Sequence, residues 1–373
     1  MARVLHVIDR TCHETHAQLI DMLLRRLGGK AAAHAVAALD ARVAERLQPY
    51  IEQPIRVAPQ QLLRSFNIAT GLRRVARRHD AEVLHVWGPE ALAVVAATLP
   101  DAPRLLTVIE PRQAEDLARR VRALADSPGV VAGSQHVRQL LVEAGVPPER
   151  CVVVRGPADF GAIKRARESD LRAQLIEPNA GPVLLMSGPP ERGAGQFEAV
   201  WAAAIVRQIY PDLRVILPYP SAERGRVERY AIRMTDEKFA VLPPAGWSWS
   251  ELAVVADAFV MTPSAEVSTE PLAAVMAAGV PIVATAVRSI AEIVADRHNG
   301  LLCKDNSLQQ LSGRILTALE DKALVRNITD VARSQAFEVF GVRAFVDNYE
   351  RAYQNVLNDT ELGAGVSDTA VVS

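Results

Sequence analysis

Apolar residues fall along this chain in two rhythms. Short unbroken runs have the length of strands buried on both faces: "RVLHVI", "AEVLHVWG", "RLLTVIE" and "GVVAGS" in the first half, then "VLLMSG", "RVILPY", "FAVLPP", "AFVMTP" and "PIVATA" in the second. Between them lie stretches of helical period such as "HAQLIDMLLRRLGG", "FEAVWAAAIVRQIYP" and "SWSELAVVADA". Buried strands joined by helical crossovers predict parallel sheets clad by helices. The rhythm runs through twice. The expected fold class is therefore α/β, two doubly wound Rossmann-like domains facing a central cleft.

The boundary is expected within "KRARESDLRAQLIEPNAGP", a charged stretch ending in Pro, Asn and Gly just before a new strand. This gives an N-terminal domain over 1–165 and a C-terminal domain over 166–340. A helix follows over 341–358, with an apolar stripe at Val342, Phe345, Val346, Tyr349 and Tyr353. Residues 359–373 show no periodicity and are expected to form an unstructured tail.

Composition narrows the picture. At 373 residues and 49% hydrophobic, the chain has material for two cores. Its three cysteines are scattered and odd in number, which argues against a disulfide framework and for a reducing, cytoplasmic setting. No apolar run approaches the length of a membrane span. Residues 1–165 carry 23 Lys and Arg against 17 Asp and Glu, and the remainder carries 19 against 26. Arg64, Arg73, Arg74, Arg77 and Arg78 fall on one predicted helix of the basic half, able to make a peripheral contact with an anionic membrane, although a solvated helix face is the default reading. No nucleic-acid footprint is present.

Two junctions carry the candidate chemistry. In "TPSAEVSTEPLAAVMAAGVPIVAT" a loop leads from a strand to Ser268 or Thr269, either able to cap a helix that begins near Pro271 and stops at Gly279. The N–H groups of its first turn could receive a diphosphate at the carboxyl end of a parallel strand, although a plain capped helix fits the same spacing. "VLLMSGPPERGAGQFEAV" is the second, with Arg192 as a phosphate cation and a glycine turn at Gly193 and Gly195. Ala194 and Gly195 stand where a Walker loop needs Lys and Ser or Thr, so that reading fails. In "TCHETH", Cys12, His13 and His16 lie within one turn, but no second cluster completes a zinc site. No metal and no cofactor are expected.

Taken in order, "SWSELAVVADAFVMTPSAEVSTEPLAAVMAAGVPIVATAVRSIAEIVADRHNGLLC" resembles the donor domain of GT-B glycosyltransferases of the family 4-like type. "VVAGSQHVRQLLVEAGVPPERCVVVRGPADF" resembles their last strand–helix–strand before the hinge. The resemblance implies metal-free transfer of a sugar, with retention, from a nucleotide-sugar donor to a glycan, lipid-linked or small-molecule acceptor. It implies Glu266 as the acidic group at the reacting sugar, with Arg192, Gly195, Ser268, Thr269 and Glu270 around the donor. His13, Glu14 and Glu110 are the acceptor-side candidates.

Several family positions are altered. The second acid, expected on the ribose, falls on Ala274, and the diphosphate Arg and Lys fall on Pro189 and Ala194. The family's glycines become Val267 and Thr269, and a first-domain histidine becomes Ile109. Glu270 lies one helical turn before Ala274 and is expected to reach the ribose instead. A non-catalytic GT-B scaffold and a nucleotide-sugar epimerase are the alternatives.

Overall fold

The computed structural model describes residues 2–9, 12, 14–26, 34–39, 47, 61–121, 128–187, 193–218, 224–244 and 246–366. For residues 14, 15, 61–66, 118–121 and 224 the backbone alone is described. The chain forms two compact units, one from the residues up to Gly156 together with the stretch from Val342, the other from Pro157–Gly341.

The first unit runs β1 (Val4–Ile8), α1 (Glu14–Arg26), β2 (His34–Ala38), α2 (Gln61–Arg78), β3 (Val83–Trp87), α3 (Pro89–Thr98), β4 (Arg104–Val108), α4 (Pro111–Val121), β5 (Gly129–Ala132), α5 (Gln135–Glu143) and β6 (Cys151–Val153). All pairings are parallel, in the order β2-β1-β3-β4-β5-β6. Alternate residues serve opposite faces. Leu5 and Val7 of β1 join Leu84 and Val86 of β3 in one core, while Val4, Ile8 and Trp87 enter the other.

The second unit runs α6 (Phe160–Glu168), α7 (Leu171–Leu175), β7 (Val183–Met186), α8 (Gln196–Val206), β8 (Arg214–Ile216), α9 (Arg224–Met234), β9 (Ala240–Val241), α10 (Trp249–Val255), β10 (Ala258–Met261), α11 (Glu270–Ala278), β11 (Ile282–Thr285), α12 (Arg288–Ala291), β12 (Leu301–Cys303), α13 (Leu308–Glu320) and α14 (Lys322–Val339). Its sheet order is β12-β11-β10-β7-β8-β9, again parallel. Chain order reverses between β7 and β10, the switch point at which a doubly wound sheet opens a crevice.

The division falls after Gly156 rather than at 165/166. The charged stretch expected as a boundary is largely helical, in α6 and α7: Ala166 is buried, Ile176 enters the second unit's core, and most of its charges face solvent. The closing helix, α15 (Val342–Leu357), belongs to the first unit, where Phe345, Val346, Tyr349 and Tyr353 pack beside α1 residues. The tail expected to be unstructured is held as far as residue 366. Leu362 is buried, its N–H donates to the Glu149 carbonyl at 2.8 Å, and Asn355 Nδ2 donates to the carbonyls of Leu362 and Ala364. With the Arg150–Asp359 ion pair and the bond from Arg351 to the Gly365 carbonyl, these contacts supply the anchor that composition alone did not suggest.

Under α15 lies a polar chain. "VLHVI" and "VLHVW" pair in register, setting His6 beside His85. Trp87 Nε1 donates to His6 Nδ1 at 3.1 Å, so His6 Nε2 carries the proton and donates to His34 Nδ1 at 3.0 Å. His85 bonds the Tyr353 hydroxyl at 2.9 Å and Thr107 Oγ1 at 2.8 Å, and Thr107 bonds Tyr349 at 3.1 Å. Every ring nitrogen of His6 and His85 is thereby satisfied, which lets these two rings sit at 0% exposure. Burial first of all holds the three histidines neutral, pulling His34 down to about 4 and His6 and His85 well below their ordinary value.

Candidate functional site

The site is assembled at the carboxyl ends of β7, β10 and β11. Gly195, the residue before α8, has φ +76°, and a Cβ built on it would lie 1.5 Å from the Thr262 carbonyl oxygen. Only glycine satisfies both the left-handed backbone and that approach. Thr262 Oγ1 donates to the Gly195 carbonyl at 2.7 Å, and the Ser264 N–H donates to that of Gly193 at 2.9 Å. These contacts draw the β7–α8 turn against the β10–α11 loop. Asn306 braces the latter from behind, donating to the Thr262 carbonyl at 3.0 Å and accepting from Thr285 Oγ1 at 2.5 Å.

Glu266, half-buried in that loop, is fixed by backbone. Its Oε1 accepts from Arg288 N–H at 3.0 Å and its Oε2 from Ser289 N–H at 2.9 Å. The carboxylate thus spans from the β10–α11 loop to the start of α12. Ser289 is fully buried, and neither its Oγ nor that of Ser268 has a hydrogen-bond partner among the described residues.

The start of α11 differs from expectation. Thr269 stands at the N-cap, but its side chain makes no capping bond. A cap hydroxyl takes an N–H from the second or third helical residue. The second here is Pro271, which has none, and the Leu272 N–H turns to the Thr269 carbonyl at 3.0 Å. The first turn therefore presents fewer donors to an anion than its sequence position implies. The start of α8 is the better placed of the two, since it likewise has no side-chain cap but carries no proline in its first turn. Arg192 and Pro189 lie outside the described residues.

In the first unit the corresponding helix start is filled from within. The buried Asp9 accepts from the Ala91 N–H at 2.8 Å, against Gly88, at the mouth of α3. The Cys12 N–H donates to the Asp9 carbonyl at 3.1 Å, and its Sγ lies against the Trp87 carbonyl. Burial first, then the Asp9 and Glu110 carboxylates, push the Cys12 thiol well up, so it is no nucleophile at neutral pH. His16 turns to Gln113. His13 lies outside the described residues, and Glu14 opens α1 with its side chain undescribed. Glu110 is half-buried at the β4–α4 turn.

Two matches to known families divide along the same lines. Residues 244–335 match the family described as glycosyl transferases group 1, and residues 16–160 match glycosyltransferase family 4. The chain belongs to the family 4-like GT-B glycosyltransferases. It is similar to Anabaena HepE in complex with UDP-glucose, with a TM-score of 0.80 and 18% identity over 96% of this chain and 100% of that one. It is also similar to sucrose-phosphate synthase from Thermosynechococcus elongatus, with a TM-score of 0.74 and 16% identity over 96% and 100%. At these identities the likeness concerns the fold. N-acetyl-alpha-D-glucosaminyl L-malate synthase of Bacillus anthracis is 30% identical over 114 residues, and that stretch spans 31% of this chain and 30% of the enzyme.

Against the family pattern, the altered positions now have surroundings. Ala274 is 5% exposed and packs in the core of the second unit, and Ile109 is 4% exposed in that of the first. Glu270, half-buried, opens α11 one turn before Ala274. The backbone pair that grips Glu266, Asn306 behind the loop and the buried Ser289 were not singled out from sequence. Arg288 and Ser289 lie 22 and 23 residues beyond Glu266, and nothing in local spacing signals a contact through their N–H groups.

Proposed function

We propose that the chain transfers a sugar, with retention of anomeric configuration, from a nucleotide-sugar held by the second unit to an acceptor hydroxyl. The observation that carries this reading is the meeting of the β7–α8 turn and β10–α11 loop at the sheet's switch point, with Glu266 fixed there by two N–H groups. In this reading the donor diphosphate lies at the start of α8, with Arg192 and Ser268 nearby. As the bond from the anomeric carbon to the diphosphate breaks, Glu266 orients the sugar and stabilises the positive charge that develops on it. The acceptor oxygen bonds to that carbon, and its proton leaves with the diphosphate. Glu270 takes the ribose, no metal is used, and His13, Glu14 and Glu110 serve the acceptor. The UDP-glucose bound by HepE and the N-acetylglucosaminyl malate named for the Bacillus enzyme make UDP-hexoses, UDP-N-acetylhexosamines and L-malate the first compounds to test.

A second reading, a scaffold without transfer, is favoured by Pro189 and Ala194 standing where the family's diphosphate Arg and Lys fall. Thermal unfolding with millimolar UDP, GDP, ADP and their sugar derivatives separates the two. A ligand at a hundred times its dissociation constant adds ~2.7 kcal/mol. A raised midpoint with one nucleotide, followed by a transferred sugar in product analysis, supports transfer. No shift with any of them favours the scaffold.

A further inference from the structure

α8 is apolar on nearly every side beyond its first turn, which carries Gln196 and Glu198. Ala199, Val200, Ala202, Ala203 and Val206 are buried with the sheet and α13, while Phe197, Trp201 and Ile205 are 37%, 44% and 41% exposed and Ile209, just beyond the helix, 57%. Steps of four residues set these last four in one outward row about 18 Å long. A helix apolar all round is ordinarily enclosed, and an exposed row of large side chains marks a contact surface. α9 widens it: the Tyr230 ring stands edge-on to Phe197 at 5.3 Å, and Met234 is 40% exposed.

The rim is basic. Arg226, Arg229 and Arg233 occupy exposed positions of α9, and Arg229 and Arg233 make no ion pair among the described residues. The neighbouring carboxylates are Glu198 and Glu228, both half-buried, Asp236, which Arg207 engages at 2.5 Å, and Glu320, which the Tyr210 hydroxyl engages at 3.1 Å. The exposed Asp212 and Glu237 lie beyond the end of the row, away from Arg229 on α9. We propose that this face of the second unit docks on an anionic lipid surface, with Phe197, Trp201, Ile205 and Ile209 at the level of the headgroups and the arginines on lipid phosphates. Apolar and aromatic anchors beside unneutralised cations are what such a surface complements. A second copy is the poorer occupant, because an isologous contact sets a patch against itself and brings the same arginines together.

The test is flotation of the full chain with extruded vesicles. The protein is expected to float with vesicles containing phosphatidylglycerol and not with phosphatidylcholine alone, and to bind less at 0.5 M salt. The W201Q/I209Q variant is expected to lose at least fivefold in bound fraction, and R229Q/R233Q to lose comparably. R73E/R74E, on α2, is expected to bind as the unchanged protein. Failure of the unchanged chain to float with anionic vesicles overturns the proposal. So does unchanged binding by W201Q/I209Q, loss confined to R73E/R74E, or sedimentation as a dimer that W201Q/I209Q dissolves. Should the double variant fold poorly, brominated phosphatidylglycerol offers a second reading on the unaltered surface. It should quench the chain's fluorescence, the quenching should vanish in W201F, and its persistence there sinks the idea.

Discussion

The hydroxyl of Thr262 donates to the carbonyl of Gly195 across 67 positions of sequence, and the Thr262 carbonyl oxygen in turn occupies the space where a side chain on Gly195 would begin. Two chain segments at the head of the second sheet are therefore held in mutual contact by backbone. Gly195→Ala must break this meeting, since both the left-handed φ and the carbonyl oppose a methyl group. Loss of about 2 kcal/mol or more of unfolding free energy in urea is expected, together with loss of any thermal shift by a nucleotide.

Thr262→Val removes only the hydrogen bond while keeping the shape. It is expected to cost about 1 kcal/mol, in the range for one buried neutral bond. A weaker nucleotide affinity should accompany it, because the turn bearing Gly195 is then less firmly placed. Titration calorimetry checks the second part independently of the first.

Glu266→Gln keeps an oxygen for one of the two N–H groups but removes the charge. Folding stability should change by no more than about 1–3 kcal/mol, while kcat falls about a hundredfold or more, with KM little changed. Equal kcat in the variant would assign Glu266 a purely structural part. Glu270→Ala should instead raise the dissociation constant of the nucleotide, and an unaltered constant removes Glu270 from the ribose.

The first unit is expected to be acid-sensitive. His6, His34 and His85 are folded in the neutral state, with His34 lowered to about 4. The unfolded chain takes up these protons near pH 6.5. Stability from the three groups is therefore complete above about 6.5 and drains away as pH falls toward their folded values, by up to about 1.4 kcal/mol per pH unit for each. Urea midpoints at pH 7.5, 6 and 5 should fall steadily. His34→Gln should flatten that fall, and a midpoint independent of pH would contradict the assignment.

Much of the architecture could be read from residues. Runs such as "VLLM" and "AFVM" announced buried parallel strands because both faces are clad, leaving no polar alternation to confuse with anything else. β2 and β12 were passed over: the first is alanine-rich and the second three residues long, so neither carries the β-branched signal that marks a strand. The histidine chain was equally hidden. His6 and His85 sit in apolar runs, and only the pairing of two near-identical strands shows why a polar ring at that point is satisfied. At the site, Glu266, Glu270 and Gly195 were legible as residue types at a strand–helix junction. What grips Glu266 was not, since the donors are main-chain groups two elements away. Thr269 shows the reverse error, a good cap residue whose expected donor a neighbouring proline removes.

The return of α15 to the first unit has a consequence for synthesis. The ribosome must deliver all of Pro157–Gly341 between the last strand of that unit and the helix that covers His6 and His85. At about 5–20 residues per second this is a delay of roughly ten to forty seconds. Throughout it, the first sheet presents an uncovered face of tryptophan and histidine rings to the cell. The half of the protein made first is thus the half completed last, and nascent chains stalled short of Val342 are the form most in need of a chaperone.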